Sequence, residues 1–212
     1  MKNKSYFIIV CIIVIVLINS SIKTSSNKSV EPIEVVADTI FVEDTLNDIY
    51  IESKVRLIER VDNYIKSTAP TSVIDSEYLV DMCDLYNVDI RLVLAQGHLE
   101  SHFATRGTAA KTNSMFNIGA YDGHSASKQI NNGFGYVDPN YSIEPYLKTL
   151  KSNYLVNGVT EEDLLNNFVN KYGWRYASSK EYERKLQRLW NNMDDISLAL
   201  NDYEVDKFLN SI

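Results

Sequence analysis

Residues 88–107 read VDIRLVLAQGHLESHFATRG. Wound as a helix with Leu92 at zero, this stretch puts Ala95, Leu99 and Phe103 between about 300° and 20°, Val93 near 100°, Ile90 near 160° and Leu94 near 200°. A helix that is apolar nearly all round must be surrounded by protein. The rest of the chain therefore has to supply elements that wrap it. Periodic segments do so on both sides. Ile51, Val55, Ile58, Val61 and Ile65 recur at three and four from about residue 48, with Pro70 beyond. Tyr78, Leu79, Met82 and Leu85 follow over about 75–86, and Asp89 is a plausible N-cap for the central helix. Downstream, Ser142 can cap a helix carrying Ile143, Tyr146, Leu147, Leu150 and Tyr154. Thr160 and Asp163 resemble a capping box before Leu164, Leu165, Phe168, Val169 and Tyr172, with Gly173 as the stop. A last helix from about Ser179 turns Tyr182, Leu186, Leu189, Trp190 and Met193 inward. Between these groups, residues 104–138 are rich in glycine. Asn132-Gly133 between Lys128–Ile130 and Phe134–Tyr136 signals a tight turn. The expected class is α+β, mostly α, with a small β-hairpin lobe.

The central helix holds a carboxylate between two histidines. By the same count Glu100 falls near 80°, and His98 and His102 near 240° and 280°, on the other side. The helical zinc-protease pattern H-E-x-x-H places its glutamate directly after the first histidine; here the order is H-L-E-S-H. A third ligand would have to come from His124 or Asp122. The histidines are read as hydrogen-bonded or stacking groups, and no metal or other cofactor is expected. Glu100 stands near the end of an apolar helix, just before a glycine-rich loop, where clefts open. Burial disfavours the charged form of a carboxyl group and suits it to general-acid work. On the residues alone, a buried glutamate paired to Arg106 or Arg175 stays equally open.

Charge and the N-terminus bound the setting. The net charge of -7 argues against nucleic acid, which demands a basic face to displace counterions. Lys2 and Lys4 precede an unbroken apolar run from Tyr6 to Ile18, the layout of an export signal. The run is shorter than the ~20 residues that span a bilayer, and no A-x-A site follows it. Residues 1–22 are read as a signal peptide or signal anchor, 23–47 as a flexible acidic tether, 48–200 as the folded domain and 201–212 as a tail. The protein is expected outside the cytoplasm, secreted or anchored to the membrane through its N-terminal segment, and monomeric. Cys11 and Cys83 are not expected to pair, and Cys83 is read as a small buried hydrophobe.

Four ordered segments between about residues 88 and 190 resemble glycoside hydrolase family 73, the bacterial and phage endo-β-N-acetylglucosaminidases. Ala95-Gln96, Leu99-Glu100-Ser101 and Phe103 match A-Q-x-x-L-E-[ST]-x-[WF]-G, with Ala104 in place of the final glycine. Asn113 to Ala120 is similar to N-N-L-F-G-I-K-A. Tyr141-Ser142 leads into Tyr146-Leu147 and Leu150 as the family's Y-x-S segment does. Tyr176-Ala177-Ser178-Ser179, Tyr182 and Lys185-Leu186 are similar to Y-A-T-D-P-x-Y-A-x-K-L, with Ser179-Lys180 in place of Asp-Pro.

The resemblance implies a lysozyme-like fold, with a helical body and hairpin lobe flanking a glycan groove, and cleavage of the β-1,4 bond after N-acetylglucosamine in peptidoglycan. It makes Glu100 the general acid and places Tyr176 in the cleft near it. Asn113, Phe116, Ile118 and Ala120 become groove wall, with Phe116 packing below. Tyr136 and Trp174 offer flat rings with a polar tip, suited to sugar faces. Glycoside hydrolysis ordinarily pairs two carboxylates, although the substrate's acetamido group can assist in this family. Asp122, Asp138 and Glu144 are the acids near the lobe, and Asp122, just after Ala120, is the expected partner. A muramidase or lytic transglycosylase on the same scaffold, and a non-catalytic glycan-binding protein, are the rival readings.

Overall fold

The computed structural model of the chain describes residues 33–119, 125–179 and 181–212, with side chains from residue 45 onward. The first helix, α1 (Ile33–Thr68), begins inside the stretch read as tether, ahead of the expected start near residue 48. Its buried row is Ser53, Leu57, Val61 and Ile65, whereas Ile51 and Val55, expected inward, are each 48% exposed. Two i, i+3/i+4 rows overlap on this helix. The row starting at Tyr50 wins because Ser53 can be buried at no cost, its hydroxyl donating to the Tyr50 carbonyl at 2.9 Å.

Helix α2 (Ser76–Tyr86) opens on Asp75, whose carboxylate accepts the Tyr78 N–H, and closes on Asn87 in the left-handed region, φ 47°. Leu79, Met82, Val80 and Cys83 are buried, whereas Leu85, expected inward, is 74% exposed. It lies off the row that joins 79, 82, 83 and 86. Cys83 is a free, buried thiol, and Cys11 lies outside the described residues. The expected Asp89 cap starts α3 (Ile90–Ser101), accepting the Arg91 N–H at 2.8 Å. Leu92, Val93, Leu94 and Ala95 are all fully enclosed, so the helix that must be surrounded is surrounded.

A short helix, α4 (Ala109–Thr112), follows the turn out of α3, and α5 (Ala126–Asn131) stands where the hairpin was expected. Among the described residues there is no strand, only an isolated antiparallel bridge between Val169 and Arg175. The Asn132-Gly133 signal is a helix stop. Gly133, φ 82°, gives its N–H to the Ile130 carbonyl and Phe134 gives its N–H to that of Gln129. This is a Schellman closure, which needs the same left-handed glycine as a tight hairpin turn.

After a 3-10 turn at Pro139–Ser142 come α6 (Ile143–Asn153) and α7 (Glu161–Asn166). Ser142 does not cap α6; its buried hydroxyl donates to the Pro139 carbonyl and accepts the Met115 N–H. The Thr160–Asp163 capping box is present. The helix it starts ends at Asn166, well short of Gly173, because the Glu183 carboxylate takes the Phe168 N–H at 3.1 Å and draws the chain out of the helix. Tyr172, expected on an inward face, is exposed.

The chain closes with α8 (Tyr182–Trp190) and α9 (Asp194–Asn210). Tyr182, Leu186, Trp190 and Met193 are buried as expected. The segment read as a C-terminal tail continues α9, and its Tyr203 is buried against Tyr50, ring centroids 5.6 Å apart. Helix α3 packs on α8, α2 on α6 and α7 on α8. The described fold is mostly helical, consistent with a lysozyme-like helical body.

The compact unit that holds this core runs from Thr45 to Ile212. The stretch read as an export signal and the first part of that read as a tether lie outside the described residues. Among those described, no helix is long and apolar enough to cross a membrane.

Candidate active site

Glu100 is half-buried one residue before the end of α3. The chain then makes three successive left-handed residues, His102, Phe103 and Ala104, at φ 46°, 54° and 64°. Ser101 organises this turn. Its buried hydroxyl accepts the Ala104 N–H at 2.7 Å and donates to the Met115 carbonyl at 2.6 Å. The Ser72 hydroxyl adds a bond to the Phe103 carbonyl. The turn is thus tied to the strip 113–119, and the strip is tied back to the helix by Asn117, whose amide donates to the Glu100 carbonyl at 2.8 Å. Asn117 stands where the family pattern has glycine and adopts φ 50°, a conformation asparagine tolerates better than other side chains.

Around the Glu100 carboxyl the partners are neutral. Tyr182 donates its hydroxyl to Oε1 at 2.7 Å. Arg106 is engaged with His102 and Arg175 with Glu183, so neither neutralises Glu100. Burial pushes the Glu100 carboxyl above the ordinary carboxylate range, and the hydrogen bond from Tyr182 opposes that rise. Burial, with Glu100 nearby, also holds the Tyr176 and Tyr182 hydroxyls well above the usual tyrosine range, so both remain proton donors.

Tyr176 does not bond Glu100. Its hydroxyl donates to the Phe116 carbonyl at 3.0 Å, and its ring stacks on Tyr182 at 5.5 Å. The structure therefore puts Tyr182 against the Glu100 carboxyl and Tyr176 one ring behind, pinning the strip. Sequence reasoning treated Tyr182 as core, and it is buried; its hydroxyl is what escaped notice. Gln96 was missed likewise. It is fully buried, donates to the Tyr182 hydroxyl at 3.0 Å and accepts from the hydroxyl of Tyr146. A glutamine within an otherwise apolar turn was the available signal.

Of the expected substrate-binding residues, Asn113 is half-buried, and its amide donates to the carbonyls of Tyr136 and Val137. Phe116 is 1% exposed, stacked on Tyr146 at 3.6 Å, so it floors the strip. Ile118 gives its carbonyl to Gln129. Tyr136 is half-buried and bonded through its N–H to Thr112. Trp174 is 71% exposed on a tight loop in which the Asn170 side chain accepts the N–H groups of both Tyr172 and Trp174. Ala120, Asp122 and His124 lie outside the described residues. Asp138 caps the 3-10 turn, and Glu144 accepts from Tyr86 and pairs with Lys148, so both have structural employment.

The histidines form a separate cluster. His98 Nδ1 bonds the Tyr64 hydroxyl at 2.9 Å, and the His98 and His102 rings meet edge to face at 5.0 Å. Among the described residues no group of metal-ligating side chains gathers.

A carboxyl kept partly from water at a helix end, with no cation beside it among the described residues and neutral donors around it, holds its proton more tightly than an exposed carboxyl does and can pass it on. No curated protein and no solved structure is significantly similar to the chain. A family model does match, that of mannosyl-glycoprotein endo-beta-N-acetylglucosaminidase, over residues 76–195. That span runs from α2 to the start of α9 and includes Glu100, the strip and Tyr182. The chain belongs to this glucosaminidase family and is a glycoside hydrolase of the endo-β-N-acetylglucosaminidase type.

Proposed function

We propose that this peptidoglycan hydrolase cuts the β-1,4 bond after N-acetylglucosamine with Glu100 as its general acid. The observation carrying the assignment is the Glu100 carboxyl itself: desolvated, without an ion-pair partner among the described residues, and bonded by Tyr182. In the reaction Glu100 gives its proton to the glycosidic oxygen as the bond to the anomeric carbon breaks, and water supplies the new hydroxyl at that carbon. The burial that raises the pKa keeps the proton in place until the leaving oxygen needs it.

The strip at 113–120 forms the groove wall in this reading. Tyr136 and the exposed Trp174 offer ring faces to flanking sugars. Asp122 is the proposed base, and the substrate's own acetamido oxygen is the alternative. The apolar N-terminal run exports the protein and, if retained, ties it to the membrane whose wall it digests.

The test is digestion of purified sacculi by the full chain beside Glu100→Gln, with products reduced by borohydride and chain ends read by mass spectrometry. Reduced N-acetylglucosamine ends are expected, with a rate about 10²–10⁴-fold lower in the variant. Reduced or anhydro-muramic ends would move the cut to the other linkage. Asp122→Asn tests the base: a small effect there hands that role to the acetamido group.

A further inference from the structure

Behind Glu100 runs a buried line of side chains that plays no part in the proton transfer as described above. The Tyr146 hydroxyl donates to Gln96 Oε1, Gln96 Nε2 donates to the Tyr182 hydroxyl, and that hydroxyl donates to Glu100 Oε1. The line crosses three helices: Tyr146 comes from α6, Gln96 and Glu100 from α3, and Tyr182 from α8. Tyr146, Gln96 and Tyr182 are buried, at 1%, 0% and 6% exposure. Bulk solvent therefore does not reach their hydrogen bonds.

Counting protons fixes the sense of the line. A glutamine amide has a donor end and an acceptor end, and in principle could point either way. With the amide reversed, Gln96 would donate to Tyr146 and accept from Tyr182. The Tyr146 proton would then have no acceptor, because Gln96 is its one hydrogen-bond partner among the described residues. An unpaired hydroxyl proton in a closed interior is a state that folded proteins avoid. Tyr146 is thus a dead end that can only donate, and each group after it must pass its donor forward.

We propose that Tyr146 and Gln96 are positioning residues. They oblige Tyr182 to give its single proton to Oε1 of Glu100, which leaves Oε2 as the oxygen that carries the transferable proton toward the glycosidic oxygen. This deepens, and rests on, the assignment of Glu100 as general acid. With the line reversed, the Glu100 proton would sit on Oε1 and point at Tyr182, away from the substrate. The forward sense also keeps one hydrogen bond on the carboxylate after the proton has left, so the product state of the transfer is held by the bond that orients the reactant state. The stack of Phe116 on Tyr146 sets the ring of the dead-end group directly beneath the strip.

The experiment is the pH profile of kcat/KM on sacculi for the full chain and for Tyr182→Phe, Tyr146→Phe and the double variant, with Glu100→Gln alongside. The acid must be protonated, so activity falls as pH rises through its pKa. Removing a donor from the carboxylate raises that pKa, and the alkaline limb should move upward. For Tyr182→Phe the expected move is about one unit, the size of a hydrogen bond to a charged group. For Tyr146→Phe it is smaller and in the same direction, with kcat reduced and KM little changed.

The double variant should match Tyr182→Phe alone, because Tyr146 acts only through Tyr182. A purely structural role would instead lower activity equally at every pH and leave the limb in place; that result overturns the proposal. So does a double variant whose limb moves by the sum of the two single shifts. Near-native circular dichroism is expected for each tyrosine variant, since only an oxygen is removed. If Glu100→Gln kept its activity, the assignment of the acid would fall first. If Glu100→Gln is inactive while the limb stays fixed in the tyrosine variants, only the positioning line falls.

Discussion

The carboxyl of Glu100 couples chemistry to stability. Its pKa is raised on folding, with burial as the largest cause, so the folded state binds this proton more tightly than the unfolded chain does. A raised carboxyl adds stability that is fully present below the unfolded value, about 4.3. That contribution is lost as pH rises through the folded value. At neutral pH Glu100 is then a cost to stability, as fits the general acid proposed for it. Glu100→Gln is expected to melt a few degrees above the parent at pH 7, and the gap should close toward pH 4. Differential scanning calorimetry of both proteins across that range checks it; an equal gap at both ends would deny the coupling. Glu100 itself was legible as a candidate from its place in an apolar helix before a glycine-rich loop. The hydroxyl of Tyr182 was not, because an inward tyrosine and an inward leucine leave the same periodic mark; Gln96 stood out in its apolar turn, but not the partners it would bind. Only the tertiary meeting of α3, α6 and α8 shows which hydroxyl finds which partner.

At the scale of elements, the turn that ends α3 is the costliest piece of backbone near the site. A left-handed conformation costs an ordinary residue roughly 1–2 kcal/mol, and three occur in succession here. The family pattern has glycine where this chain has Ala104, at φ 64°. Ala104→Gly is expected to raise stability by about 1 kcal/mol, set by the strain released against the extra freedom of glycine in the unfolded chain. Urea unfolding with an unchanged m-value is the check. Helices with a strong apolar period and a side-chain cap were legible within a few residues. Asp89 and Thr160 each cap where the sequence placed them, and Asp75 caps at the residue where the second helix was expected to start. The hairpin was not legible, because Asn-Gly serves a Schellman closure and a tight turn by the same φ > 0 freedom. The stop of α7 was read too late because the group that ends it, Glu183, lies on another helix. The inward row of α1 was misread because a buried serine looks polar until its hydroxyl is seen bonded to its own helix.

At the scale of the molecule, the last helix closes the fold. Ile196, Ala199 and Tyr203 are buried along α9, spaced at three and four, yet Asp202, Glu204 and Asp206 made the segment from Asn201 read as a tail. Tyr203 stacks on Tyr50 of α1, and Lys207 reaches Asp84 of α2. Tyr203→Ala is expected to cost roughly 3 kcal/mol, in the range for emptying an aromatic site, with kcat unchanged in the folded fraction. Denaturant unfolding and sacculus digestion on the same preparation separate the two effects. The loop that carries Trp174 has an optical consequence. The protein has two tryptophans, and they stand in opposite surroundings: Trp174 is 71% exposed, while Trp190 is 8% exposed with the Arg91 guanidinium 4.1 Å over its ring. Their emission should divide into a red, acrylamide-quenchable share from the loop and a bluer, shielded share from the interior. A glycan seated on the loop would dim the quenching of the first and leave the second alone, so the chain carries its own reporter of substrate arrival, separate from bond cleavage.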